Sequence, residues 1–517
     1  MAAIKGFIVA HLLGLDIGTS GTKAILVRED GHIAAKATQE YPLLTPKPGW
    51  AEQHPRDWWE AACATAKSVL AKSGIAPAEI KGIGLSGQMH GSVFLDKKGG
   101  VVRPCILWCD ARTAAECDEI NETVGAARFF KTCCNPPMVG FTAPKVVWLK
   151  NHEPAKYKQV RHIMLPKDYV RYKLTGEMLC EVSDAAGTVL FDVRKRAWAG
   201  GVLDALGIPR EWMPEVRESY DVCGTITAEA AYLTGLKEGT PVVGGGADNT
   251  CAGIGSGVVI EGRVSASLGT SGVVFAPTND VRVDSKKRVH TFVHSTRRQW
   301  YLMGAMMSAG MSLRWYRDNV AFDEIALAAK EGSDVYDRYV EMAAMLPAGA
   351  EGLWFLPYLQ GERSPHNDPF ARGCFVGLTF KHGRTHIVRA ILEGITFGMR
   401  DMLEVIKELG TKIREIRALG GGAKSPFWRQ LMADVFGDEI VILAQEEGGA
   451  MGAAILAGVG AGVFGDFKET TDRLVKVASR VEPNKKTHKQ YAERYALFRE
   501  MYRALKPLFP SVARLQQ

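Results

Sequence analysis

The sequence predicts an α/β protein built twice over, each half with a mixed sheet flanked by helices. Three observations carry that expectation. Residues 13–27 read LGLDIGTSGTKAILV and residues 265–275 read SASLGTSGVVF, so strand, Gly-Thr-Ser-Gly turn and strand recur near the start of each half. β-rich runs joined by a short glycine-bearing turn are the mark of a hairpin. A looser echo links GGGADNTCAGIGSG (244–257) with EEGGAMGAAILAGVGAG (446–462), each placing small residues where a strand passes into a helix. Finally, helix-like and strand-like runs alternate along the chain.

The elements follow in order. The apolar run within MAAIKGFIVAHLLGLDIG is expected to be the first strand. A secretory signal is disfavoured, because His11 interrupts the run, no Ala-x-Ala site follows, and it leads straight into a glycine turn. A strand at 33–41 and the loop PKPGW precede a helix over about 55–72, with Pro55 in its first turn. The strand within AEIKGIGLSG comes next. In the second half, Ile387, Ile391, Ile395, Met402 and Ile406 share one face of a helix over 386–409. A strand (413–419), a helix (426–436), a strand (439–443), a small-residue helix and a closing amphipathic helix (487–508) complete the pattern. Glycine-rich residues 253–262 are the expected boundary, dividing the chain into 1–257 and 258–517.

Composition agrees with two domains. The chain has 517 residues, and single cores stop growing beyond roughly 250–300. Apolar residues make up 46%, charged residues 23%, and the net charge is +7. These are ordinary values for a globular chain. No block of like charges implies a nucleic-acid or membrane arm, and no 18-residue apolar run implies a membrane span. Ten cysteines show no Cys-x-x-Cys spacing. Several sit in apolar runs, as Cys105 and Cys109 do in CILWC, so buried free thiols and a reducing cytoplasm are expected.

Two familiar phosphate motifs fail. A P-loop needs Gly-Lys followed by Ser or Thr, and the chain has no Gly-Lys. Gly82-Ile-Gly84-Leu-Ser-Gly87 matches G-x-G-x-x-G, but another strand pattern follows instead of a helix. The paired hairpin turns are better candidates. Glycine lets backbone N–H groups curl around phosphate, and two copies, one per half, would clamp a polyphosphate from both sides. In the first, Gly18, Thr19, Ser20, Thr22 and Lys23 would contribute, with Asp16 placed to hold Mg²⁺. In the second, Gly269, Thr270 and Ser271 would act. Period-two alternation through Ile106 to Arg112 would put Trp108, Asp110 and Arg112 on one face, with Cys109 on the other. An indole beside a carboxylate and a guanidinium suits a polyol, although a salt-bridged surface strand with a half-buried Trp fits the same residues.

LDIGTSGTK, GLSGQMHG, ILWCDAR, LPKDYVRYKLTGE, VSDAAGTVLFD, GGGADNTCAG, SLGTSGV, LGGGAKSPFWRQLMADV and GAMGAAILAG stand in that order along residues 12–460. Together they resemble the FGGY family of carbohydrate kinases, nearest to the branch that phosphorylates D-xylulose. The resemblance implies the duplicated ribonuclease-H-like fold shared with actin and hexokinase, with ATP and a small sugar meeting in an interdomain cleft. It implies Mg²⁺ as the metal and a homodimer as a family habit. It places the catalytic base at Asp248, where a helix N-cap is the plainer alternative, with Asn249 beside it. It places sugar contacts at Met89 and His90, and adenosine contacts at Gly421, Gly422 and Ala423, with Ser425 in the same turn. Trp315 either flanks the nucleotide or is a core residue of an amphipathic helix. Members of that branch often carry Asn where Cys109 stands, so one polar contact is not expected here. The runner-up substrate is gluconate, since gluconokinases carry a similar Gln-Met-His string, with glycerol behind it. A nucleotide switch with no small substrate is the alternative outside enzymes, and it would need no polyol pocket.

Overall fold

The computed structural model describes residues 10–445 and 447–515. The part of the first-strand expectation that falls on residues 1–9 therefore lies outside the described residues. The strand His11–Ile17 turns antiparallel into Gly21–Arg28, which pairs antiparallel with Ile33–Glu40. On its other side His11–Ile17 pairs in parallel with Ile80–Gly87. Pro241–Val243 continues in parallel, and Val222–Thr225 closes that edge antiparallel. The second sheet repeats this plan. Arg263–Leu268, Gly272–Thr278 and Trp300–Met306 run antiparallel, Glu415–Leu419 and Ile440–Leu443 add in parallel, and Val477–Val481 closes the edge antiparallel. His290–Val293 is an added strand beyond Trp300–Met306. Three antiparallel strands followed by parallel ones is the ribonuclease-H-like arrangement, present twice.

Both glycine turns are hairpins, as the repeat predicts. The expected helices run Pro55–Ser73, Arg384–Glu408, Pro426–Phe436 and Lys485–Leu505. The two segments of the looser echo become the helices Asp248–Gly255 and Gly448–Gly460, and they pack on each other. A Cβ on Gly452 would stand 1.9 Å from the carbonyl oxygen of Cys251. The helix Gly448–Gly460, from the second half of the chain, also lies on the first sheet. It does so because Gly14 has no side chain: a Cβ there would stand 2.0 Å from the Ala450 carbonyl oxygen. Gly253, in the other helix, lies against the Phe275 ring of the second sheet. Among the described residues, no helix is long and apolar enough to cross a membrane.

Two expectations need correction. The strand through Ile106 to Arg112 ends at Ile106, and residues 107–112 turn. Its period-two faces do not form, because Asp110 and Arg112 fold inward to an ion cluster. All ten cysteines are free, but Cys109 is exposed and Cys63 and Cys374 are half-buried.

Candidate active site

Three neighbouring strands end together and supply the carboxylates. In register, Asp16 pairs with Ser86, and Ser86 pairs with Gly246 on its other side. Asp248 follows Gly246–Ala247 directly. This is the carboxyl end of parallel strands, where ligands of open α/β sheets bind. Burial raises the Asp16 carboxyl, opposed by the neighbouring Ser86 hydroxyl and by Lys23. Asp248 is pushed up to about 7, first by burial and then by the charge of Asp16, with Asn249 opposing. Ala247 is the N-cap, and Asp248 is the first residue of the helix. Its Oδ1 accepts from Asn249 N (2.6 Å) and Asn249 Nδ2 (2.9 Å), which leaves Oδ2 able to accept a further hydrogen bond.

A row of side chains leads away from Asp248. Asn249 Nδ2 donates to Met89 Sδ at 3.6 Å. Met89 and His90 both crowd Gly187. His90 Nδ1 donates to the Gly187 carbonyl (2.7 Å), so Nε2 is left as an acceptor. Burial lowers His90 to about 3, with Lys145 assisting, so its ring is neutral. The ring stacks on Phe141 at 4.4 Å, and its backbone carbonyl receives Lys145 Nζ at 2.8 Å. Lys145 is itself lowered to about 7 by burial. Lys145 and Phe141 were not anticipated; FTAPKVVW reads as plain helix in one dimension.

The first turn is held by side chains. Gln88 Nε2 donates to the Gly18 carbonyl (3.2 Å) and Gln53 Nε2 to that of Thr19 (2.7 Å). Thr19 Oγ1 accepts from Trp108 Nε1 at 2.9 Å. Ser20 is exposed, Thr22 is fully buried, and Lys23 pairs with Glu447, which also takes Lys36 at 3.1 Å. Trp108 is 41% exposed, the only large aromatic of its segment at the surface. Asp110 and Arg112 stand behind it. Their ion pair is 2.6 Å, Arg112 also reaches Glu52 at 2.7 Å, and its guanidinium lies 3.5 Å over the Trp50 ring.

The second turn borders a cavity of about 470 Å³. Gly269, Thr270, Gly421, Gly422 and Ser425 line it. Ala423 is buried behind them, Ser271 lies outside the lining, and Trp315 lines a neighbouring cleft with Leu359 and Gln360. Arg314, Arg317, Tyr336 and Asp337 complete the wall and were not anticipated. They sit on two helices with no glycine signature to draw notice. Behind Asp248, Lys167 is fully buried against Asp168 (2.9 Å), Glu181 (3.1 Å) and Asp184 (2.8 Å). Ser183 Oγ hydrogen-bonds Glu181 and accepts from Ala247 N at 2.9 Å, so this charge cluster anchors the strand that leads into Asp248.

The N-terminal domain model of the FGGY family of carbohydrate kinases matches residues 11–255, and the C-terminal domain model matches residues 264–461. The xylulose kinase of Bacillus subtilis (strain 168) is 37% identical over 96% of this chain and 98% of its own length. The gluconokinase of the same organism is 29% identical over 98% of each chain. The crystal structure of xylulose kinase from Rhodospirillum rubrum superposes with a TM-score of 0.89 at 31% identity, covering 96% of this chain and 99% of that one. Two sheets of one plan, paired carboxylates at the strand ends of the first, and family matches over both halves lead to one conclusion: the chain belongs to the FGGY family of carbohydrate kinases.

Proposed function

We propose that the protein transfers the γ-phosphoryl group of ATP to the terminal hydroxyl of D-xylulose, giving D-xylulose 5-phosphate and ADP. The observation that carries the chemistry is Asp248: a carboxylate raised to about 7, one oxygen uncommitted, beside a second carboxylate at the strand ends. That value suits a general base at neutral pH. The sugar O–H proton passes to Asp248 Oδ2 as the sugar oxygen bonds to the γ-phosphorus and the bridging bond to ADP breaks. The transition state is loose, so the base mainly orients the hydroxyl and takes the proton late. Met89, His90, Asn249 and the Trp108 ring line the sugar, while Asp110 and Arg112 hold the turn that presents Trp108.

The cavity between the second turn and Gly421–Gly422 takes the adenosine. Among the described residues, no three His, Cys, Asp or Glu side chains cluster to hold a metal. One half-buried carboxylate with a hydroxyl beside it suits Mg²⁺, which keeps waters and takes phosphate oxygens as further ligands. Asp16 would hold it, and bound there it would neutralise charge on the phosphates. Free thiols throughout fit a reducing cytoplasm.

The choice of sugar rests on likeness to proteins named xylulose kinase over the full length, against a lower identity to gluconokinase. ADP release in a coupled assay with D-xylulose, gluconate and glycerol tests it. D-xylulose should have the highest kcat/KM; a reversed order removes the sugar assignment, and ADP release with none of the three removes the kinase chemistry proposed for Asp248.

A further inference from the structure

Resting on the reading that the first turn takes the nucleotide phosphates, the second half of the chain supplies part of that turn's support. Asp16 and Lys23 stand directly opposite each other in the antiparallel pair, so their side chains share one face of the first sheet. Leu12 and Ile25, on the same face, pack in one cluster with Ala450 and Ala454 of the helix Gly448–Gly460. The helix comes this close because the strand Ile80–Gly87 is bare beneath it: a Cβ on Gly84 would stand 1.9 Å from the Ala453 carbonyl oxygen. Gly84 of the failed dinucleotide motif thus serves helix packing. At the helix start, a Cβ on Gly449 would stand 2.8 Å from both Asp16 Oδ2 and Ser86 Oγ, so the first turn of the helix rests against the Asp16 carboxylate.

Glu447, the residue before that helix, reaches across to Lys23. Its Oε2 pairs with Lys23 Nζ, and its Oε1 pairs with Lys36 Nζ at 3.1 Å. Both lysines belong to the first sheet, Lys23 to Gly21–Arg28 and Lys36 to Ile33–Glu40, whereas Glu447 belongs to the second half. The Glu447 side chain is 12% exposed, which spares the pair much of the screening that makes surface pairs weak. Held on one oxygen by Lys36, the carboxylate is not free to follow Lys23. An ammonium has three N–H donors, so Lys23 keeps two after the bond to Glu447. The side chain that carries them starts opposite Asp16, two residues after the turn.

We propose that Glu447 is a positioning residue: its carboxylate fixes the Lys23 ammonium beside the first turn, so that the nucleotide phosphates meet a cation already held in place. A free lysine side chain loses rotamer freedom when it grips a ligand, and one already held loses less. Glu447 acts through Lys23 and leaves the two remaining N–H groups to the phosphates. Because Glu447 comes from the second half, the cation is in place only while the helix Gly448–Gly460 lies on the first sheet. Phosphate binding at the first turn thereby depends on packing between the halves as well as on the turn itself.

The test is a double-mutant cycle, read as ATP KM and as ADP affinity by calorimetry, over wild type, Glu447→Gln, Lys23→Met and the two combined. Lys23→Met should raise the ATP KM by about tenfold or more, the loss of a charge-assisted contact. Glu447→Gln keeps the bulk and removes the charge. It should raise the ATP KM by about three- to tenfold and weaken ADP binding alike, with the sugar KM within about twofold. In the Lys23→Met background, Glu447→Gln should add no further rise, a silence that a merely structural role would not produce. If Glu447→Gln does not fold, Lys36→Met carries the test, since it changes an exposed position and frees the carboxylate on one side. It should raise the ATP KM about twofold, and only where Lys23 is present. An unchanged ATP KM in the folded variant, an equal rise in both backgrounds, or ATP and sugar KM rising together overturns the positioning role. An unchanged ATP KM in Lys23→Met alone overturns the placing of phosphates beside Lys23, and this inference with it; that result comes from the one variant in which Glu447 is intact.

Discussion

At the first Gly-Thr-Ser-Gly turn, residues 18–21, side chains do the holding: Gln88, Gln53, Tyr41 and Trp108 all bond to it. At the second, residues 269–272, backbone does. Gly310 N donates to the Gly269 carbonyl and Met311 N to that of Thr270, so the turn rests on the start of the helix Gly310–Asn319. The residue two before the turn also differs, Asp16 in one and Ser267 in the other. On the function proposed above, one string of four residues serves two ends of a reaction. Where a charge must be placed to a fraction of an ångström beside a sugar, a web of polar side chains positions it. Where a nucleotide lies against bare backbone, glycine and a helix start suffice. Four experiments bear on this division.

The largest effect is expected on the first turn's side. Asp248→Asn keeps the acceptor toward Asn249 and removes the base, so kcat should fall by at least about a hundredfold while calorimetry shows both ligands still binding. In wild type, kcat/KM should fall about tenfold per pH unit below about 7, because the ionised form is the base and it takes up a proton there. The variant should lack that limb. Stability has the opposite sign. A carboxyl raised in the folded state favours folding at low pH, and this contribution is lost as pH rises through about 7. At pH 8 the Asn variant should therefore melt no lower than wild type. Turnover near that of wild type would move the base elsewhere, with Asp16 the next carboxylate to test.

Second, the residues two before each turn should respond unequally. Asp16→Asn should cost about tenfold or more in kcat and raise the Mg²⁺ concentration for half activation. Ser267→Ala should stay within about twofold, as substitutions away from such features usually do. Equal losses would mean that both turns do the same work.

Third, a Cβ on Gly310 would stand 2.5 Å from the Gly269 carbonyl oxygen. Gly310→Ala should push the second turn off its seat and raise the ATP KM several-fold, in line with the cost of about 1–3 kcal/mol for overpacking, with the sugar KM steady. A rise confined to the sugar KM would reverse the assignment of the turns. The smallest effect is at Trp108. Trp108→Phe keeps a ring over the sugar and loses the bond to Thr19, worth about 1 kcal/mol, or roughly fivefold. Trp108→Ala should go further, and mainly in the sugar KM. If Phe and Ala behave alike, the ring itself contributes nothing.

The duplication was legible because strands and tight turns are written locally. Gly-Thr-Ser-Gly between β-rich runs leaves few other conformations, and Pro55 and the apolar periodicity of Arg384–Glu408 mark helices by the same short-range rules. The segment 106–112 shows where that stops. Its alternation fitted a strand, but Arg112 finds Glu52, Trp50 and Trp148, all distant in sequence, and that packing bends the chain inward at Leu107. Propensity gives way to tertiary contacts of this kind. LPKDYVRYKLTGE stood out as a string, yet only folding shows Lys167 buried among three carboxylates behind Asp248.

The sequence by itself determined the repeated hairpins, the helix starts and ends, and the residue types at the turns, since each depends on neighbours a few positions away. It also marked Asp16, Asp248, Met89 and His90 through strings that resemble a known family. The tertiary structure alone decided that the helix Gly448–Gly460 crosses to the first sheet, that Asp16 raises Asp248, and that the His90 ring stacks on Phe141. Those are through-space relations between residues scores of positions apart. Charge, burial and close approach depend on distance in space, and a one-dimensional pattern holds distance only along the chain.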